Sequence, residues 1–175
     1  MEDRYAPVQK LLHWLVVLFL LVQVPLGVWI AVGVPKDEAL ATQIYQAHDG
    51  NGAVILVLAL IWLGFRKLLG TPVLPRGTPL WVDSLASFTH RAIYLVLIVQ
   101  PLTGWLANGA AGHPWAIYNL YTIPSPIAKN EQVAEWLSTA HQGFAGLLAA
   151  LVLLHLLGVA YHGLIRRDGV AGRIV

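Results

Sequence analysis

Four long apolar stretches constrain this chain more than any other feature of its sequence. They cover residues 11–34, 53–65 with its flanks, 92–111 and 144–165. Because a helix rises about 1.5 Å per residue, about 20 residues cross the hydrocarbon of a bilayer, and each stretch can do so. We therefore predict an all-α fold, an integral membrane four-helix bundle that forms a single domain over residues 1–175. The predicted helices cover about residues 8–34, 42–69, 84–111 and 132–166.

The basic residues predict how this bundle is oriented. Four spans place both termini on one side, and nine of the eleven Lys and Arg residues fall on that side: Arg4, Lys10, Arg66, Lys67, Arg76, Arg91, Arg166, Arg167 and Arg173. Only Lys36 and Lys129 fall on the other side. Because positive residues stay on the cytoplasmic side, we expect both termini in the cytoplasm. These residues flank hydrophobic spans, so we expect a lipid membrane as partner and no nucleic acid. No internal repeat is evident.

Cysteine is absent from the chain, whereas histidine is abundant. The absence of cysteine excludes disulfides, iron–sulfur clusters, thiolate zinc sites and c-type haem attachment. Any bound metal would therefore depend on histidine. The seven histidines are His13, His48, His90, His113, His141, His155 and His162.

The spacing of the histidines predicts two layers inside the bundle. His141 and His155 are 14 residues apart, so they share a helix face and lie about 21 Å apart along its axis. With the predicted orientation, the outer layer holds His48 and His141, and the inner layer holds His13, His90, His155 and His162. A haem with two histidine ligands takes one imidazole from each of two facing helices at the same depth. Both layers can supply such a pair.

Two other interpretations of the histidines stay open at this point. Each ring can be a polar side chain hydrogen-bonded between helices, in a non-redox subunit or ion carrier whose histidines relay protons or bind a metal. Zinc usually takes three or four ligands, often with a carboxylate, yet the apolar stretches contain no acidic residue and only Asp49 stands beside His48 at the expected boundary. Glycines near the histidines give room for a flat macrocycle or for close helix packing. They are Gly50, Gly52, Gly143, Gly146 and Gly158.

Several short motifs, taken together, cover nearly the whole chain. They are Leu12-His13-Trp14-Leu15, His48 with Gly52, His90-Arg91-Ala92-Ile93-Tyr94, Pro101-Leu102-Thr103-Gly104, Glu135-Trp136, His141, His155, Tyr161-His162 and Arg166-Arg167-Asp168-Gly169-Val170. In this pattern the chain resembles the bacterial cytochrome b561 family of membrane dihaem cytochromes, related to the cytochrome b subunits of hydrogenases. It departs from the family in the polar Asp49-Gly50-Asn51 stretch and in a C-terminal end that lacks the usual methionine.

The resemblance implies two haem b groups. His13 and His155 would ligate the iron of the inner haem, and His48 and His141 that of the outer one. His90 and His162 would then be neighbours of the haem or residues of a quinone site. With Arg91 and Arg76, they are the candidates for binding a quinone or the haem propionates.

The resemblance also implies an activity, in a multi-pass protein of the bacterial inner membrane. Similar proteins exchange electrons between membrane quinone and a partner at the periplasmic face, and one family activity is oxidation of superoxide with ubiquinone as acceptor. We expect an oxidoreductase of this kind, with Lys129 and His113 as candidates for guiding superoxide to the outer haem. The alternative is a quinol-oxidising cytochrome that passes electrons to a periplasmic redox protein. Ligation by two histidines leaves no open iron position, which favours simple electron transfer.

Overall fold

Four long helices make up most of the protein. Its structure is a computed structural model that describes residues 4–118 and 120–175. The four helices are α1 (Pro7–Val32), α2 (Glu38–Leu69), α3 (Leu80–Ala111) and α4 (Glu131–Ala160). A π-helical segment (Tyr161–Arg166) continues α4, and a short 3-10 helix (Val170–Arg173) follows it. All four are long and apolar enough to cross a membrane, which confirms the prediction of an all-α four-helix membrane protein.

Side-chain caps set where two of the helices begin. The Asp37 carboxylate accepts a hydrogen bond from the Leu40 amide (2.8 Å), and the Asn130 side chain accepts one from the Val133 amide (3.1 Å). These caps satisfy backbone N–H groups that the first helical turn leaves free, so α2 begins before its apolar stretch does. Asp49 therefore lies three turns inside α2.

A small β-hairpin covers one end of the bundle, which the all-α prediction did not include. Strands β1 (Trp115–Ile117) and β2 (Tyr121–Ile123) pair antiparallel between α3 and α4. Between them Tyr118 donates a hydrogen bond from its hydroxyl to the Asn51 side chain on α2 (3.0 Å). A Cβ at Gly50 would lie 2.8 Å from the Tyr118 ring, so only glycine lets the ring lie on α2.

The helices pack in chain order, with α1 against α2, α2 against α3, and α3 against α4. Across the described part of the chain, α4 makes almost no close backbone approach to α1 or α2. The core of the bundle consists of buried side chains from these helices, such as Leu97, Ile55 and Leu151. Large apolar side chains cover the outside of the bundle, where lipid can surround them, for example Leu21 and Leu95.

The C-terminal segment closes the opposite end of the bundle. The Tyr5 amide donates to the Arg173 carbonyl (3.2 Å), and the Trp14 indole donates to the Ile174 carbonyl (3.1 Å). Arg173 in turn donates from its guanidinium to the Val73 carbonyl in the loop between α2 and α3 (2.6 Å). Both termini therefore lie at one end. The side of the membrane that this end faces stays the prediction made from charge.

Asp168 holds the turn between α4 and this C-terminal segment. Its carboxylate accepts hydrogen bonds from His162 Nδ1 (2.8 Å), Arg166 Nε (2.9 Å) and the Val170 amide (3.3 Å). Desolvation alone would raise the pKa of this carboxyl. The three hydrogen bonds outweigh it and hold the pKa below its ordinary value.

This lowered pKa predicts a dependence of stability on pH. The stabilisation is fully present above the ordinary pKa of 3.8 and is lost as the pH falls through the lower value of the folded chain. We expect Asp168→Asn to lose about 1–3 kcal/mol at neutral pH and to flatten this acid limb, measured by unfolding in detergent. Asp83→Asn, at an exposed acid of the same end, is the control and should leave both unchanged. An acid limb in Asp168→Asn equal to that of the unmodified chain would contradict this account.

Candidate functional site

Two pairs of histidine rings face each other across the gap beside α4. His48 on α2 and His141 on α4 have ring centroids 6.2 Å apart and ring planes at 78°. His13 on α1 and His155 on α4 have ring centroids 6.4 Å apart and planes at 61°. Since His141 and His155 are 14 residues apart on one helix, the pairs lie about 21 Å apart along the bundle. We call them the outer pair and the inner pair.

The separation within each pair fits one iron between two imidazoles. A bond from a metal to an imidazole nitrogen is about 2 Å long, which places the centroids of two opposed rings about 6 Å apart. Both pairs meet this distance, whereas His90 lies closer to His155, with 5.2 Å between centroids. Within residues 4–118 and 120–175, no three His, Cys, Asp or Glu residues gather as they would around a bare metal ion. A haem iron takes only two protein ligands because the porphyrin supplies four nitrogens.

The hydrogen bonds of His141 determine which ring nitrogen carries the proton. Its Nδ1 lies 2.9 Å from the Gln100 carbonyl, which can only accept, so Nδ1 carries the proton. The lone pair then lies on Nε2, which faces the Gln100 side-chain amide at 3.4 Å. A carbonyl on the far nitrogen is the usual way in which proteins fix the tautomer of a metal-binding histidine. The ring also lies on bare backbone, since a Cβ at Gly104 would be 2.9 Å from it.

His48 is held in a similar way by α1. Its Nε2 lies 3.3 Å from the side-chain amide nitrogen of Gln23. A Cβ at Gly27 would lie 3.2 Å from the ring. The Nδ1 of His48 is buried and has no hydrogen-bond partner in the part of the chain that the structure describes.

A small cavity adjoins the outer pair. Two polar residues that line it, Gln23 and Asn108, were not predicted, nor was Gln100 beside His141, although a polar side chain within an apolar span is costly and therefore informative. Asn108 donates to both carboxylate oxygens of Asp49 (3.2 and 3.0 Å). Trp105 stacks on Trp115 of the hairpin beside them, with ring centroids 5.7 Å apart.

Aromatic rings surround the inner pair. The His13 ring meets Trp14 and Trp62 edge to face, with centroids 5.2 and 5.4 Å apart. Trp62 meets Tyr94, whose hydroxyl accepts a hydrogen bond from Arg66 (3.3 Å) while the guanidinium lies 5.1 Å from the ring centroid. Arg66 thus brings a positive charge to Tyr94, which packs on the Trp62 ring beside His13, whereas its sequence position had indicated only orientation.

The other predicted site residues lie at the two ends of the bundle. His162 is buried and bound to Asp168, whereas Arg76 and Arg91 are exposed at the end that carries the termini. At the hairpin end, His113 and Lys129 are exposed, and the Lys129 side chain lies over Gly112. Neither of these two residues lines the cavity beside the outer pair.

The glycines noted in the sequence have different surroundings. Gly50 makes room for Tyr118, and Gly52 faces the Gln23 amide nitrogen at 3.5 Å from an added Cβ. Added Cβ atoms at the three glycines of α4 meet nothing within 4 Å in the described part of the chain: Gly143, Gly146 and Gly158. Close packing between helices therefore does not account for these three.

Comparison with known proteins identifies the family. The sequence matches the family described as prokaryotic cytochrome b561 over residues 4–175. It is 26% identical to a probable superoxide oxidase CybB of Yersinia pestis, covering 100% of this chain and 97% of that one. It is 22% identical to cytochrome b561 homolog 2 of Escherichia coli K12, covering 99% of this chain and 92% of that one. A match of this length, on a four-helix membrane fold with opposed histidines, shows that the chain belongs to the prokaryotic cytochrome b561 family, whose members are membrane b-type cytochromes that transfer electrons.

Proposed function

We propose that the protein carries electrons across the membrane through two haem b groups, one at each histidine pair. His48 and His141 would ligate the iron of the outer haem, and His13 and His155 that of the inner haem. Each haem would supply reversible one-electron chemistry of its iron. The observation that carries this proposal is the presence of two opposed ring pairs at two depths along α4. Their spacing of about 21 Å covers most of a hydrocarbon core about 30 Å thick.

The chain's own residues set the ligands and limit the chemistry. Gln100 fixes the proton of His141 on Nδ1, so that the lone pair lies on Nε2, where iron would take the place of the Gln100 side-chain amide. Two histidines on each iron would leave no ligand position for oxygen, which favours electron transfer without oxygen activation. Arg66 places a positive charge at Tyr94, on the aromatic cluster that adjoins His13, where it would stabilise an anionic group such as a haem propionate.

Superoxide and ubiquinone are the proposed substrates, in a multi-pass protein of the bacterial inner membrane with its termini in the cytoplasm. Similarity along the whole chain to a protein named as a probable superoxide oxidase supports this choice. Two superoxide ions would each give up one electron at the outer end and become O₂. One ubiquinone would take up the two electrons with two protons. His162, His90, Arg91 and Arg76 are the candidates for the quinone or propionate site, and Lys129 and His113 for the approach of superoxide.

Replacing single histidines tests the ligand assignment. We expect His48→Ala or His141→Ala to remove the outer haem alone, and His13→Ala or His155→Ala to remove the inner haem alone. A pyridine haemochrome assay on the purified protein should then fall from two haems per chain to one. His90→Ala is the matched control, because its ring lies beside His155 but closer than one iron allows, and it should keep both haems. The assignment is wrong if His90→Ala loses the inner haem while His13→Ala retains it.

A reaction with both substrates tests the proposed activity. The haem-loaded protein, given superoxide and a soluble ubiquinone, should form ubiquinol faster than the uncatalysed mixture, and His141→Ala should return the rate to background. Lys129→Ala removes a positive charge at the hairpin end and should lower the rate about two- to fivefold. Lys36→Ala, at the other lysine of that end, serves as the charge-matched control. A rate equal to that of the uncatalysed mixture would count against superoxide as the substrate.

Surface charge favours a second candidate, exchange of electrons with a basic periplasmic redox protein. The end that carries the hairpin exposes two lysines against four carboxylates: Asp37, Glu38, Glu131 and Glu135. Such an excess of negative charge attracts a cationic protein and repels an anion. If this candidate is right, quinol-reduced protein passes electrons to a basic c-type cytochrome at a rate that falls with ionic strength. Glu131→Gln with Glu135→Gln should lower that rate, and an unchanged rate would exclude it.

A further inference from the structure

We infer that the outer ligands are held by two copies of one positioning element, because the chain is built from two copies of one helical hairpin, α1–α2 and α3–α4. The first element contacts His48 and is the α1 segment Gln23-Val24-Pro25-Leu26-Gly27. The second contacts His141 and is the α3 segment Gln100-Pro101-Leu102-Thr103-Gly104. The inference rests on the proposed assignment of these histidines as ligands of the outer haem. It adds the residues that orient the imidazole rings of these two histidines.

The repeat in α1 and α3 is carried by three positions at a constant spacing. His90 follows His13 by 77 residues, and Gln100 follows Gln23 and Gly104 follows Gly27 by the same number. Within each copy, the histidine precedes the glutamine by ten residues and the glutamine precedes the glycine by four. Each segment between glutamine and glycine also contains a proline inside its helix.

The repeat in α2 and α4 has its own constant spacing of 93 residues. It relates His48 to His141, and each of these histidines is followed two positions later by glycine. It also relates the helix caps, since Asp37 and Asn130 each accept a hydrogen bond from the amide three residues further on. The same spacing relates Trp62 to His155.

Contacts between the helices obey the same relation. The amide nitrogens of Gln23 and Gln100 lie 3.3 and 3.4 Å from the Nε2 atoms of their histidines. Gly27 and Gly104, one turn further along, each lie beneath the same ring, so that an added Cβ would come within 3.2 and 2.9 Å of its Cε1. Each outer ring thus lies between a glutamine and a glycine of the preceding helix, and the glutamine amide would yield its place at Nε2 to the iron.

The inner layer obeys the repeat in geometry but not in residue type. His13 meets Trp62 at 5.4 Å and 74°, and the equivalent pair, His90 and His155, meets at 5.2 Å and 72°. A tryptophan stands where the second copy has its ligand. The two histidines of the outer pair therefore occupy equivalent positions of the repeat, whereas those of the inner pair do not. His90 is the equivalent of His13 but belongs to neither pair.

The glycines allow a direct test of the positioning element. In ferric haem with two imidazole ligands, the largest g value in the electron paramagnetic resonance spectrum depends on the angle between the ring planes. We expect Gly27→Ala and Gly104→Ala to shift the largest g value of the outer haem, or to lose that haem, while the inner signal stays unchanged. His13→Ala identifies the outer signal. Gly64→Ala, where an added Cβ meets nothing within 4 Å, is the control and should shift neither signal.

Leucine substitutions of the two glutamines test the same element without enlarging any side chain. Gln23→Leu and Gln100→Leu keep the side-chain size but remove the amide that lies beside Nε2, and should also shift the outer signal alone, through the changed contact beside the iron-binding nitrogen and not through a hydrogen bond to it. Unchanged outer signals in all four variants would overturn the inference, as would equal shifts of both haems. If instead His48→Ala and His141→Ala keep the outer haem, the ligand assignment itself has failed. The two failures are therefore distinguishable.

Discussion

An imidazole ring inside a lipid-embedded bundle needs a partner, because hydrocarbon supplies no hydrogen bonds. In this chain imidazole rings face each other at two depths and glutamine amides lie beside the outer rings, yet Nδ1 of His48 has no hydrogen-bond partner among the described residues. The pairs face each other only because α4 packs along α3 and stands off α1 and α2. The rest of the fold serves to hold that separation.

Both ends of the bundle are closed by segments that lie close to the histidine pairs. At one end, Tyr118 of the hairpin bonds Asn51, and Trp115 adjoins the outer cavity. At the other end, the C-terminal segment bonds Trp14, the neighbour of His13, and Asp168 holds its turn. Polar groups of the loops are thus tied to the helices that carry the histidines, which limits how far those helices can separate.

The four helices were predictable from sequence because membrane-spanning helices are long and apolar. The two histidine layers were predictable because residues 14 apart, such as His141 and His155, lie on the same helix face. The start of α2 was misplaced because Asp37, outside the apolar stretch, caps the helix. The hairpin was missed because strands of three residues leave little pattern. Gln23 and Gly27 were not predicted because only the contacts between helices show that they lie against the His48 ring. The repeat was not predicted because few positions are identical in its two copies.

The central claim is that each opposed pair holds one iron porphyrin with both axial positions filled. Carbon monoxide binding to the reduced, purified protein tests it most directly, read together with the ratio of haem b to chain. The account predicts two haems per chain, both six-coordinate and low-spin, and no spectral change when carbon monoxide is added. A colourless protein, or a haem that binds carbon monoxide readily, would contradict it.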